Sequence, residues 1–89
     1  MKQVYLEVTY RDGRPFAAYL YLSSKSNEKR HKCRRIEPGM IVDINREGKL
    51  LGIELTAPAL VTLQGINAIL REYDLEPLEE SALAPLVAA

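Results

Sequence analysis

The sequence predicts an α+β fold with four or five antiparallel strands in a meander and one or two C-terminal helices packed on one face. Short apolar runs separated by turn residues occupy the first part of the chain. After Leu55 the apolar residues change to helical spacing. The length of 89 residues predicts a single domain, 1–89, with a sheet over 1–56 and a helical segment over 57–89.

The clearest strand signal is a central hairpin over Met40–Ile44 and Leu50–Leu55. Asn45 can start a turn through its side chain, and Gly48 can adopt positive φ without strain. This combination predicts a three-residue loop with a glycine bulge.

The register of the central hairpin stays open at this stage. The three-residue loop would place Asp43 and Glu54 on opposite faces, whereas a four-residue loop would shift the pairing by one and place them on the same face. In either register both faces of the hairpin contain mainly apolar side chains. We therefore expect a sheet that needs a cover on each side, and which face the helix covers is left undecided.

A second hairpin is predicted from the alternating segments 4–10 and 16–22. The Asp-Gly dipeptide at 12–13 marks its turn. A strict two-residue turn would set Val8 opposite Ala17 and mix the apolar and polar sides, so we expect a longer loop.

Tyrosines on the polar side of this hairpin are typical of a protein contact surface, since tyrosine is enriched at interfaces. The alternative, which we favour, is an amphipathic surface half-covered by another element, because tyrosine is common in any strand. Apolar residues of the short second helix are further interface candidates. The candidate interface comprises Tyr5, Tyr19, Tyr21, Leu83 and Leu86.

A basic segment follows the second predicted strand and offers an alternative function, nucleic-acid binding through phosphate contacts. The candidate contacts are Lys29, Arg30, Lys32, Arg34 and Arg35. As a strand, the segment would place Arg30, Lys32 and Arg34 on one face. It contains no aromatic residue to stack on a base, so we favour a charged edge strand over a nucleic-acid site.

Charge is divided between the two parts of the chain although the formal net charge is zero. Residues 1–36 have nine Lys/Arg and three Asp/Glu, and residues 37–89 have the reverse. The acidic segment 72–80 is the natural partner of the basic strand, in the same chain or in a second one.

The helical segment begins with a good N-cap candidate, Thr62. Apolar residues at helical spacing then predict an amphipathic helix over 62–74. A short second helix over 79–84 is expected to end at Pro85.

Little in the sequence indicates catalysis. The single cysteine, Cys33, excludes an intramolecular disulfide, and His31 with Cys33 supplies only two zinc ligands. Asp43 and Glu54 could form a carboxylate pair, but we expect them to be exposed acids that aid solubility. We therefore predict no catalytic residue, no metal ligand and no cofactor, and a protein that is not an enzyme.

The sequence contains no apolar run near 18 residues, and its start passes directly into strand alternation. We expect a cytoplasmic protein that does not bind a membrane.

The turn at 12–13, the strand at 18–22 and above all the stretch 37–54 resemble the YuzE-like bacterial domain of unknown function. The resemblance covers about residues 4–58. The acidic segment usual before the family's second strand is replaced here by 14–16 (Arg-Pro-Phe). The resemblance implies a small antiparallel sheet with a helix against it and an antitoxin-like or partner-binding role, and it carries over no catalytic residue.

Together these observations predict a non-enzymatic interaction module that self-associates as a homodimer. A second small protein is a further candidate partner. The expected second apolar face and the divided charge are the reasons for this prediction.

Overall fold

The computed structural model describes residues 4–22 and 29–87, and the polar loop predicted at 23–28 lies outside them. Five antiparallel strands form one sheet in the order β1-β2-β5-β4-β3. The strands are β1 Tyr5–Arg11, β2 Arg14–Tyr21, β3 Lys32–Ile36, β4 Met40–Ile44 and β5 Leu50–Leu55. The predicted α+β class is confirmed. Because β5 lies between β2 and β4, only β3 to β5 form a continuous meander.

The first helix, α1, covers Leu63–Glu72 and begins where the sequence predicts. The hydroxyl oxygen of Thr62 accepts a hydrogen bond of 3.0 Å from the backbone N–H of Gly65. This bond satisfies one of the N–H groups that have no partner within the first turn of a helix.

The C-terminal segment forms a 3-10 turn over Glu80–Leu83 that continues into a short helix, α2, over Ala84–Val87. The predicted end of the second helix at Pro85 is therefore wrong. Pro85 lies in the first turn of α2, where the missing N–H of proline removes no helical hydrogen bond.

The β1–β2 hairpin closes with a two-residue turn, so the expectation of a longer loop is wrong. Asp12 and Gly13 have φ values of +53° and +78°, and positive φ at both positions is typical of a type I′ turn. A register shift beyond the turn still sets Val8 opposite Ala18. The apolar side chains of both strands therefore share a face.

The β4–β5 hairpin resolves the open register in the same way. Next to the loop Ile44 pairs with Leu50, as the three-residue loop requires. A bulge then shifts the register by one residue, so that Asp43 pairs with Gly52. As a result Asp43 and Glu54 lie on the same face of the sheet.

This shift gives the sheet two chemically different faces and corrects the expectation that both are apolar. One face packs against the helices and forms the hydrophobic core. The core contains Ala18, Leu20, Leu22, Met40, Val42, Ile44, Leu50, Ile53, Leu55, Ile66, Ile69, Leu70 and Leu83. The opposite face, called here the open face, has mainly polar and aromatic residues.

Within the described residues, no helix has the length and apolar character needed to span a membrane.

Replacement of Thr62 by alanine tests the start of α1. The loss of the side-chain cap should lower the free energy of unfolding by about 1 kcal/mol. Thr62→Ser keeps the hydroxyl and should behave like the unaltered protein. Denaturant unfolding followed by circular dichroism measures both variants, and equal stability of Thr62→Ala and Thr62→Ser would contradict the assigned cap.

Candidate functional site

Two rows of residues cross all five strands on the open face. Each row follows from the strand pairing, because directly paired residues point to the same side of a sheet. The first row is Tyr5, Tyr21, Gly52, Asp43 and Cys33, and the second is Glu7, Tyr19, Glu54, Ile41 and Arg35. The three tyrosines of the candidate interface are therefore neighbours.

The three tyrosine rings are in contact on this face. The ring centroids of Tyr5 and Tyr21 are 5.6 Å apart, and those of Tyr19 and Tyr21 are 4.5 Å apart with an edge-on arrangement. The hydroxyl of Tyr21 donates a hydrogen bond of 3.0 Å to Glu7. The rings form one aromatic cluster on β1 and β2.

Asp43 is the unexpected member of the open face, because its side chain is only 7% exposed. The expectation of an exposed, solubilising acid is wrong for this residue. The hydroxyl of Tyr19 donates a hydrogen bond of 2.8 Å to Asp43 Oδ2. A carboxylate removed from water requires such donors, since burial without them is costly.

Gly52 makes this hydrogen bond possible. A Cβ atom at position 52 would lie 2.5 Å from the Tyr19 hydroxyl oxygen and 2.6 Å from two ring carbons. The phenol ring therefore occupies the space that a side chain on β5 would fill. Through that gap Tyr19 reaches from β2 across β5 to Asp43 on β4.

The second oxygen of Asp43 lacks an equivalent donor. Asp43 Oδ1 is buried and accepts no hydrogen bond from any residue that the structure describes. Arg30 Nη1 lies 3.5 Å from this oxygen and also 3.5 Å from Glu54 Oε2. Both distances are longer than a strong charge-assisted hydrogen bond, which measures about 2.7–2.9 Å.

The environment shifts the acid–base properties of two of these groups. Burial, together with the hydrogen bond to Asp43, raises the pKa of the Tyr19 hydroxyl. Tyr19 therefore stays a neutral donor. Burial and the neighbouring Asp43 carboxyl raise the pKa of Glu54, and the charge of Arg30 opposes that increase.

The remaining candidate interface residues lie elsewhere. Leu83 is buried in the core, and Leu86 is partly buried against it. These two leucines pack on the helix side of the sheet, away from the three tyrosines. The five residues do not form one surface, and contact of any of them with a partner stays a prediction.

The basic residues are divided between the two faces. β3 starts only at Lys32, so Arg30 precedes the strand. Its guanidinium lies over the open face with Asp43 and Glu54. The prediction that Arg30 and Arg34 share a face of the sheet is therefore wrong.

Arg34, on the helix side, forms an ion pair of 3.0 Å with Glu72 of α1. The hydrogen bond from Arg34 lowers the pKa of Glu72. The acidic C-terminal part thus pairs with the basic strand in the same chain. The remaining candidate phosphate contacts, Lys29, Lys32 and Arg35, are exposed. Nucleic-acid binding stays an untested prediction, and its contacts do not form one continuous stripe.

Cys33 is exposed and pairs with Asp43 across β3 and β4. Among residues 4–22 and 29–87, no three His, Cys, Asp or Glu side chains are grouped as potential metal ligands.

Comparison with known proteins adds one match. Residues 17–57 match the model of a protein family of unknown function, DUF2283. The match covers a little under half of the chain and includes Tyr19, Arg30, Asp43, Gly52 and Glu54. Neither the curated proteins nor the solved structures gave a match.

Sequence reasoning recognised the acids of this site but not Tyr19 or Gly52 as their partners. A signal for Gly52 was present, since a glycine inside a strand often marks a bulge or a close approach of another group. The identity of the approaching group depended on the pairing of β2 with β5, which the predicted meander does not contain.

Replacement of Gly52 by alanine tests the contact with Tyr19. The added methyl group would overlap the phenol ring and should lower the free energy of unfolding by roughly 1–3 kcal/mol. In a Tyr19→Ala background the same replacement should cost much less, because the ring is absent. Denaturant unfolding of the four proteins of this double-mutant cycle measures the coupling. Equal costs in both backgrounds would show that the ring does not occupy this space.

Glu54 should make stability depend on pH. Because its pKa is higher in the folded protein than in the unfolded chain, the folded state binds more protons between the two pKa values, and the free energy of unfolding falls there as pH rises. The contribution is complete below the unfolded pKa and is lost above the folded one. Glu54→Gln cannot ionise, so its stability relative to the unaltered protein should rise as pH increases above about 4, the ordinary range of a glutamate pKa.

Denaturant unfolding at a series of pH values measures this difference. Glu47→Gln, in the exposed loop between β4 and β5, is the matched control. A constant stability difference for Glu54→Gln across this pH range would contradict the prediction.

Proposed function

We propose that this chain is a non-enzymatic protein-interaction module that forms a homodimer through the open face of its sheet. The observation that supports this proposal best is the exposed aromatic cluster on that face. Tyr5 is 60% exposed and Tyr21 is 39% exposed, although their rings are in contact with each other. Large aromatic side chains with a polar end are favoured at protein interfaces.

The polar and aromatic residues of the open face, rather than a second apolar face, are the reason to propose a dimer. The expected second apolar face does not exist, because the bulge in β4–β5 places the apolar residues on the helix side. The proposal therefore rests on the tyrosines and on the charges beside them.

The charges at the two ends of the second row suit a two-fold symmetric dimer. Glu7 lies on the edge strand β1 and Arg35 on the opposite edge strand β3. A two-fold axis parallel to the strands and above β5 would bring β1 of one chain against β3 of the other. Glu7 would then approach Arg35 of the partner subunit, twice in the dimer, as a self-complementary interface requires.

A finer form of the proposal is an antitoxin-like role, in which a second small protein binds this face instead of a second copy. Its support is the resemblance to YuzE-like domains. The match to a family of unknown function neither adds to that role nor specifies another.

A charge exchange tests the dimer. At roughly tens of micromolar the proposed interface should hold most of the protein as a dimer, with about twice the chain mass of 10.0 kDa. Glu7→Lys or Arg35→Glu alone should weaken the dimer because like charges then meet, and the double variant should restore it. Light scattering coupled to gel filtration measures the mass.

Arg46→Glu, in the exposed loop between β4 and β5, makes the same charge change away from the interface and should leave the mass unaltered. A monomer mass for the unaltered protein at every concentration would refute the proposal. Loss of the dimer in both single variants without recovery in the double variant would refute the proposed orientation.

A further inference from the structure

We infer that Asp43 and Glu54 form a binding socket for a guanidinium group supplied from outside the chain, at a place that Arg30 fills incompletely. This inference does not depend on self-association. The socket lies next to the aromatic cluster and shares Tyr19 with it.

The first argument is an unmet acceptor. The Asp43 side chain is more than nine-tenths buried, yet Oδ1 accepts no hydrogen bond from the described residues. The other oxygen already has the Tyr19 hydroxyl as its donor. A buried carboxylate oxygen left without a donor carries an uncompensated desolvation cost. A ligand with an N–H group in this position would remove that cost.

The second argument is the position of Arg30. Its Nη1 atom stands 3.5 Å from Asp43 Oδ1 and 3.5 Å from Glu54 Oε2. One nitrogen is thus shared between two carboxylates, and neither contact has the length of a strong charge-assisted bond. The location of the Arg30 guanidinium marks the place where a better-oriented guanidinium would bind both acids.

The third argument concerns the chemical class of the ligand. A guanidinium is planar and carries several N–H donors in a rigid fork, so it can bond to two carboxylates at once. It also stacks favourably on aromatic rings, and the Tyr19 side chain lies against Asp43 through its hydrogen bond. Two carboxylates provide fewer oxygens than the about six to eight that a calcium ion takes, and one of the four, Asp43 Oδ2, already accepts from Tyr19. These properties favour guanidinium.

The fourth argument is that Arg30 can leave. Its side chain is 56% exposed, and residue 30 precedes the first residue of β3. Water already solvates much of the guanidinium, and its two contacts are long, so Arg30 is held less firmly than a fully buried cation would be. After its departure the socket would hold two acids and no cation, which increases its attraction for an external one.

N-acetyl-arginine amide is the probe that tests the socket, with N-acetyl-citrulline amide as the neutral control of the same shape. NMR titration would follow the ring signals of Tyr19 and Tyr21. Arg30→Gln removes the internal competitor, so this variant should bind the arginine probe with a Kd at least about tenfold lower than that of the unaltered protein. The citrulline probe should produce no saturable change.

Loss of the acids should abolish the response. Arg30→Gln combined with Asp43→Asn should show no saturable binding, while Arg30→Gln combined with Glu47→Gln, in the exposed loop, should bind as Arg30→Gln does. A Kd that is equal for the arginine and citrulline probes, or no saturation in folded Arg30→Gln, would overturn the inference. Arg30→Lys keeps a cation at the site and provides a second variant if Arg30→Gln does not fold.

Two further measurements are needed. The first distinguishes a free guanidinium compound from an arginine side chain, and the second distinguishes the socket from the proposed dimer. Methylguanidinium and the peptide acetyl-Gly-Arg-Gly-amide present the same group free and on a polypeptide, and tighter binding of the peptide would indicate an arginine side chain of a protein partner. Equal binding of the two would support a site for the free group. Repeating the titration with Glu7→Lys, in which the dimer should be weakened, tests the socket whether or not the dimer exists.

Discussion

The one-residue bulge in the β4–β5 hairpin is the constraint on which both the core and the candidate site depend. Next to the loop, Asn45 and Gly48 hold one register, and beyond Asp43 the strands continue in the other. Without this shift, Asp43 and Glu54 would point to opposite faces, and one of them would enter the core. With it, the helix side contains only apolar residues of this hairpin, and both acids lie on the open face.

The sequence was sufficient for the parts of the fold that local chemistry determines. The central hairpin, the cap at Thr62 and the amphipathic α1 follow from residue type and spacing. The register was not predictable, because loop chemistry and side-chain alternation each specified a pairing and the two pairings differed by one residue. At the 12–13 turn, too, the loop and the side-chain alternation require different pairings. In both hairpins a register shift within the strands satisfies the two requirements, and a prediction that assumes one register for the whole hairpin cannot include such a shift.

The site was less accessible to sequence reasoning than the fold. The proximity of Asp43 and Glu54 depended on the bulge, and the burial of Asp43 depended on Tyr19, which arrives from a strand far away in sequence. The position of Arg30 depended on the point at which β3 begins. Each of these facts is a consequence of tertiary structure. The divided charge, in contrast, did predict that the acidic segment 72–80 pairs with the basic strand, and Arg34 with Glu72 is such a pair at one edge of the sheet.

The hydrogen bond from Tyr19 to Asp43 has a consequence for the motions of the sheet. It links β2 to β4, which are not neighbours, by passing over the glycine of the strand between them. Opening of β5 alone would break the ladders on both of its sides and would also leave the carboxylate without its donor. These three strands should therefore open as one cooperative unit in hydrogen exchange, with β1 and β3 free to open at lower free energy.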